Sequence, residues 1–85
     1  MKVRVLYFAR LREAVGMDME EIEFPGDKAT IAALLDVLRK RGGIWAKEAG
    51  VDSGNRLAVN QQLAGLITPL QDGDEVAIFP PVTGG

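Results

Sequence analysis

The chain has 85 residues, 47% hydrophobic and 26% charged, with a net charge of −2 and neither Cys nor His. Such a composition describes one ordinary globular domain, with room for a modest core and no basic excess for general nucleic-acid affinity. The missing residue types exclude thiolate nucleophiles, Cys/His zinc sites and Ser-His-Asp triads.

Lys2 to Phe8 reads as a first strand, with Val3, Val5 and Tyr7 on one face and Arg4, Leu6 and Phe8 on the other. Apolar residues on both faces suggest a central strand. From Ala9 to Val15 the period changes: Leu11, Ala14 and Val15 fall at i, i+3 and i+4, and Gly16 suits the cap of a short helix. Met19 to Phe24 alternates again, with Met19, Glu21 and Glu23 opposite Glu20, Ile22 and Phe24, and predicts a second strand with one polar face, antiparallel to the first. Its three Glu residues, Glu20, Glu21 and Glu23, are expected on a solvated face rather than around a metal. Pro25-Gly26-Asp27 marks a turn.

Thr30 is positioned to cap the main helix, Ile31 to about Arg41, whose Ile31, Leu34, Leu35 and Leu38 form one apolar stripe. Arg39, Lys40 and Arg41 meet the negative end of the helix dipole. Gly42-Gly43 stops the helix. Ile44 to Ala49 forms a further helical turn with Trp45 at the core edge, and Gly50 to Asn55 is a surface loop. Arg56 to Val59 and Leu63 to Leu66 read as two short strands joined through Asn60-Gln61-Gln62. Ile67 to Leu70 bends, and Asp72-Gly73-Asp74 turns into the final strand.

That strand, Glu75 to Phe79, opens the stretch around which the rest is organised. Pro80 and Pro81 have no N–H to give a sheet, so pairing should stop near Phe79. The six residues from Pro80 to Gly85 reach roughly 20 Å when extended. Gly84 and Gly85 lack Cβ atoms, which leaves a thin tip ending in a carboxylate. Residues 1–79 therefore read as the domain and 80–85 as a flexible tail that presents its terminus. Ser53 is the only serine, and no GxxxxGK(S/T) or GxGxxG phosphate loop occurs, so side-chain catalysis has few candidates. No apolar run approaches the roughly 18 residues of a membrane span, and the opening residues lack a signal-peptide layout. The cytoplasm is the default expectation.

The order of elements predicts an α+β fold: a mixed sheet of four to five strands with one main helix on it. A final strand as apolar as Val76-Ala77-Ile78-Phe79 belongs inside the sheet, beside the first strand. That is the β-grasp, or ubiquitin-like, arrangement.

The ending from Asp72 to Gly85 resembles the family of small, sulfur-carrier subunits of molybdopterin synthase. Val5-Leu6-Tyr7-Phe8-Ala9 followed by Leu11-Arg12-Glu13, and the central Ala58-Val59-Asn60-Gln61, resemble the same family. The resemblance implies that an ATP-dependent, ubiquitin-activating-like enzyme adenylates the Gly85 carboxylate, and that a sulfur donor converts it to a thiocarboxylate. Gly84 and Gly85 would then enter the large subunit's active site and give sulfur to cyclic pyranopterin monophosphate, forming the molybdopterin dithiolene. The assembly implied is a heterotetramer of two small and two large subunits. Partner-facing residues would be Phe8, Arg12, Leu63 and Phe79, followed by Pro80, Pro81, Val82 and Thr83 of the tail. The resemblance implies a co-substrate role with catalytic groups in the large subunit. No bound cofactor or metal is expected, and the charge and the lack of a long apolar run lead us to expect no nucleic-acid or membrane partner. A thiamine-pathway sulfur carrier or a ubiquitin-like protein modifier is the alternative.

Overall fold

In the computed structural model the described residues are 1–50 and 54–80. Ten elements follow one another: β1 (Lys2–Tyr7), α1 (Ala9–Val15), β2 (Met19–Glu23), β3 (Ala29–Thr30), α2 (Ile31–Arg39), α3 (Ile44–Glu48), β4 (Arg56–Val59), β5 (Gln62–Ala64), β6 (Pro69–Leu70) and β7 (Glu75–Phe79).

Five strands make one mixed sheet in the order β2-β1-β7-β4-β5. The last strand is the middle one. β7 runs parallel to β1, with Val5 beside Val76 and Tyr7 beside Ile78, and antiparallel to β4, with Leu57 beside Ile78. β2 flanks β1 antiparallel, and β5 flanks β4. The expected β-grasp arrangement is present.

One face of the sheet is covered. Val3, Val5 and Tyr7 of β1, Val76 and Ile78 of β7, and Leu57 of β4 are buried against Ile31, Leu34, Leu35 and Leu38 of α2. The helix forms where the period of its apolar residues predicts, and the Thr30 hydroxyl accepts the Ala33 N–H at 3.3 Å. It ends two residues short of the sequence expectation, at Arg39. Burying each of these large side chains stabilises the fold by about 1.5–3 kcal/mol.

Loop chemistry sets the register. Gly16 closes α1 in the left-handed region at φ 76°, its N–H donating to the Arg12 carbonyl. Asn60 and Gln61, at φ 50° and 72°, make the two-residue hairpin turn between β4 and β5. The Asn60 side chain reaches the start of β7: its Oδ1 accepts the Glu75 N–H, and its Nδ2 donates to Asp74, both at 3.0 Å. Two strand expectations need correction. β5 spans Gln62–Ala64 rather than Leu63 to Leu66, because Leu66 turns away and its carbonyl accepts the Ala32 N–H at the start of α2. The bend at Ile67 to Leu70 contains β6, which pairs with β3 as a separate two-stranded ribbon.

Candidate docking face

The face of the sheet opposite α2 carries Phe8, Leu63 and Phe79, three of the residues expected to meet a partner. Cross-strand register places one row across all five strands: Met19, Leu6, Ala77, Ala58 and Leu63. Every member is apolar. Leu63 is 75% exposed and Met19 43%, while Leu6 and Ala77 are half-buried and Ala58 is buried. One step further toward the C-terminal end of β7 lie Phe8 and Phe79. The Phe8 N–H donates to the Ile78 carbonyl, and the Phe8 carbonyl accepts the Arg12 N–H, both at 3.3 Å. Ala9 turns the chain at φ 52° into α1. The Phe8 backbone is thus tied on both sides while its ring stays 41% exposed.

The other half of the same face is polar. Arg4 sits between Glu21 on β2 and Glu75 on β7, and Lys2 opposes Glu23. Apolar and charged rows divide the face, with the apolar half at the end where the chain leaves β7. Three exposed apolar side chains, Leu63, Met19 and Phe8, beside half-buried neighbours form a patch of a kind that isolated domains seldom leave in water.

Of the residues expected to face a partner, Phe8 and Leu63 are exposed on this surface and Phe79 is half-buried in it. Arg12 is exposed on α1, one helical turn after Phe8. Pro80 is exposed just past the end of β7, where pairing stops as its missing N–H requires. Pro81, Val82, Thr83, Gly84 and Gly85 lie outside the described residues. Sequence reasoning missed Met19, which it placed on a polar strand face, and the bridging residues Leu6, Ala77 and Ala58. Period-two alternation assigns a face to each but does not say which strand lies next to which.

The titratable cluster lies on the other side of the sheet. Glu20 lies on the inward face of β2 with Ile22, as the alternation of Met19 to Phe24 places it, and is half-buried there rather than solvated. Its Oε2 accepts the Tyr7 hydroxyl at 2.6 Å and Arg41 Nη1 at 2.8 Å, and its Oε1 accepts Arg41 Nη2 at 2.8 Å. The Arg41 hydrogen bonds hold the Glu20 carboxyl below its ordinary range, and the same contact raises the Arg41 pKa. Burial, reinforced by Glu20, pushes the Tyr7 hydroxyl well up. Arg41 also lies 4.5 Å from the centre of the Trp45 ring, which meets Tyr7 edge-on at 5.4 Å. Arg41 is therefore a partner of Glu20 and Trp45, more than the helix-dipole charge its position suggested. Lys40 pairs with Asp36 at 3.0 Å along α2.

Among the described residues no group of three or more potential ligands could hold a metal, and no helix is long and apolar enough to cross a membrane.

Residues 5–85 match the ThiS family. The chain is 45% identical over 84 residues to the molybdopterin synthase sulfur carrier subunit of Escherichia coli, covering 98% of this chain and 99% of the relative. Its fold is similar to that of a chain described as subunit 1 of molybdopterin converting factor from Pyrococcus furiosus: TM-score 0.79, 37% identity, 96% of this chain and 99% of the other. A further similar structure is the complex of subunits 1 and 2 of molybdopterin-converting factor from Helicobacter pylori. There the TM-score is 0.69 and the identity 28%, with full coverage of both chains.

Proposed function

The chain belongs to the ThiS family, and from its 45% identity, over nearly its whole length, to a molybdopterin synthase sulfur carrier subunit we propose that it is the sulfur carrier subunit of a molybdopterin synthase. The observation that carries the reading is spatial: β7, the central strand, ends at Phe79 beside the uncovered apolar row. A partner seated on that row receives the tail at its root. The similar chain from Helicobacter pylori is in a complex with its subunit 2, which supports the large synthase subunit as that partner. A heterotetramer of two small and two large subunits, in the cytoplasm, is the assembly proposed.

The reacting group is the Gly85 carboxylate. A carboxylate resists nucleophiles because it is anionic and would have to expel oxide. An activating enzyme therefore joins it to the AMP moiety of ATP and releases pyrophosphate. A sulfur donor then displaces AMP, leaving a thiocarboxylate on Gly85. Inside the large subunit the thiocarboxylate sulfur attacks a side-chain carbon of cyclic pyranopterin monophosphate and displaces an oxygen group from it. Water then cleaves the acyl–sulfur bond of the resulting thioester, leaving the sulfur on the pterin and returning the Gly85 carboxylate. Two such transfers complete the dithiolene. With no Cys or His in the chain, the carrier supplies position and a leaving carboxylate, while acid–base groups come from its partners. Gly84 and Gly85 keep the tip free of Cβ atoms, so that it fits a channel narrow enough to exclude water.

Intact-mass measurement after incubation with ATP, an activating enzyme and a sulfur source tests this. The expected result is the replacement of one oxygen by sulfur, confined to the C-terminal peptide. An unchanged terminus, or conjugates to lysines with no thiocarboxylate, would overturn it.

A further inference from the structure

Where β4 begins and β5 ends, a groove of about 360 Å³ opens, lined by Asn55, Arg56, Leu57, Leu63, Ala64, Gly65 and Leu66. Leu63, the most exposed member of the apolar row, forms part of its wall, so the groove continues the docking face around the sheet edge. Leu66 is 42% exposed there. Arg56 is the only charged residue in the lining. It lies directly across from Phe79, the last residue before the tail. Among the described residues no carboxylate pairs with it, in contrast to Arg10, Lys40 and Arg41, which each have an acidic partner. A lone guanidinium in an apolar groove, at the root of the tail, is arranged to receive an anion that comes with apolar neighbours.

We infer that this groove seats a segment of the large subunit that carries an apolar side chain next to a carboxylate, with Arg56 taking the carboxylate. This rests on the docking reading above and adds to it the chemistry of the partner's contact. The apolar row supplies area, and the Arg56 pair fixes the orientation in which the tail enters its channel. Charge pairs at the edge of an interface act chiefly on encounter rate and orientation, and they weaken as salt screens them over about 10 Å at 0.1 M.

The test is the affinity of the full chain for its large subunit at low and high salt, with Arg56→Glu, Arg56→Lys and Leu66→Ser variants and their melting temperatures. Wild-type affinity should fall as salt rises. Arg56→Glu should bind roughly tenfold or more weakly at low salt, with the deficit shrinking at high salt, and Arg56→Lys should stay within a few-fold of wild type. Leu66→Ser should weaken binding by an amount that salt leaves alone. Arg56→Glu binding as tightly as wild type at low salt, or a deficit independent of salt, would overturn the assignment of Arg56 and leave the docking face standing. A wild-type chain that fails to bind the large subunit at all would remove the docking reading and this inference with it.

Discussion

Replacing Glu20 with Ala should destabilise the domain far more than a strand-surface glutamate normally would. The Tyr7 residue is 1% exposed and its hydroxyl donates to Glu20, so removing Glu20 takes away the acceptor of that hydroxyl. An orphaned buried hydroxyl costs about 1–3 kcal/mol. The Arg41 side chain is 33% exposed, so losing its forked pair with Glu20 adds only about 0.5–1 kcal/mol after screening. The total, about 1.5–4 kcal/mol, is a large part of the roughly 5–15 kcal/mol available to a domain. At about 4–8 °C per kcal/mol, the melting temperature should fall by roughly 6–30 °C. Denaturant unfolding followed through Trp45, the only Trp in the sequence and a neighbour of both Tyr7 and Arg41, measures it directly. Tyr7→Phe alone should be mild, since Glu20 keeps Arg41. Adding Tyr7→Phe to Glu20→Ala should recover stability, because the orphaned hydroxyl is removed. A Glu20→Ala protein within about 0.5 kcal/mol of wild type, the ordinary range for a surface change, would refute the reasoning, as would a double mutant less stable than Glu20→Ala alone. The pH dependence follows the same contacts. Glu20 is held below its ordinary value of 4.5, so its contribution is present above that pH and disappears as pH falls through the lowered value. Tyr7 is pushed above its ordinary 10.0, so its contribution is present below that pH and is lost as pH rises beyond it.

Leu35→Ala, at a site 4% exposed under the sheet, should destabilise by about 2–5 kcal/mol in the same unfolding experiment. Phe79→Ala should weaken binding to the large subunit by about 1–4 kcal/mol in calorimetric titration, with a smaller change in stability because the ring is only half-buried. Deleting Gly85, or adding one residue after it, moves the reactive carbon by about 3–4 Å, where a misplacement of about 1 Å already costs 100-fold in rate. Both variants should melt like wild type and transfer almost no sulfur in a reconstituted synthase assay, and Gly84→Val should behave likewise; near-normal rates without trimming back to Gly85 would count against the terminus as the reacting group.

Several elements were legible because their signals are local. The stripe of Ile31, Leu34, Leu35 and Leu38 repeats at helical spacing within one segment, and all four residues are buried. The apolar content of Val76 to Phe79, combined with the prolines after it, pointed to a central strand that stops at Phe79, as β7 does. Phe8 and Leu63 were different. Alternation assigned Phe8 to a face without saying whether anything covers it, and only the family resemblance made exposure the expectation. Individual side-chain contacts between distant segments were illegible. Glu20 finds Arg41 21 positions away, and neither residue's neighbours announce the other. β3 and β6 have two residues each, too few to show a period. Arg56 looked like any strand-end cation until the register placed it across from Phe79.

The position of β7 has a consequence for how the carrier comes into being. Both of its neighbours, β1 and β4, precede it in the chain, and the Lys2 N–H reaches Asp72, 70 positions away, just before β7 starts. During synthesis β1 and β4 therefore wait with open edges, unable to pair through the middle of the sheet until nearly the whole domain has been made. Joining such distant segments is slow, and the open edges invite association with other chains in the meantime. The arrangement also orders events. The apolar row is assembled only when Ala77 docks between Leu6 and Ala58, which happens as the residues leading to the tail are put in place. A nascent or truncated chain lacks the complete row, so the surface is finished only as the chain reaches the root of the tail.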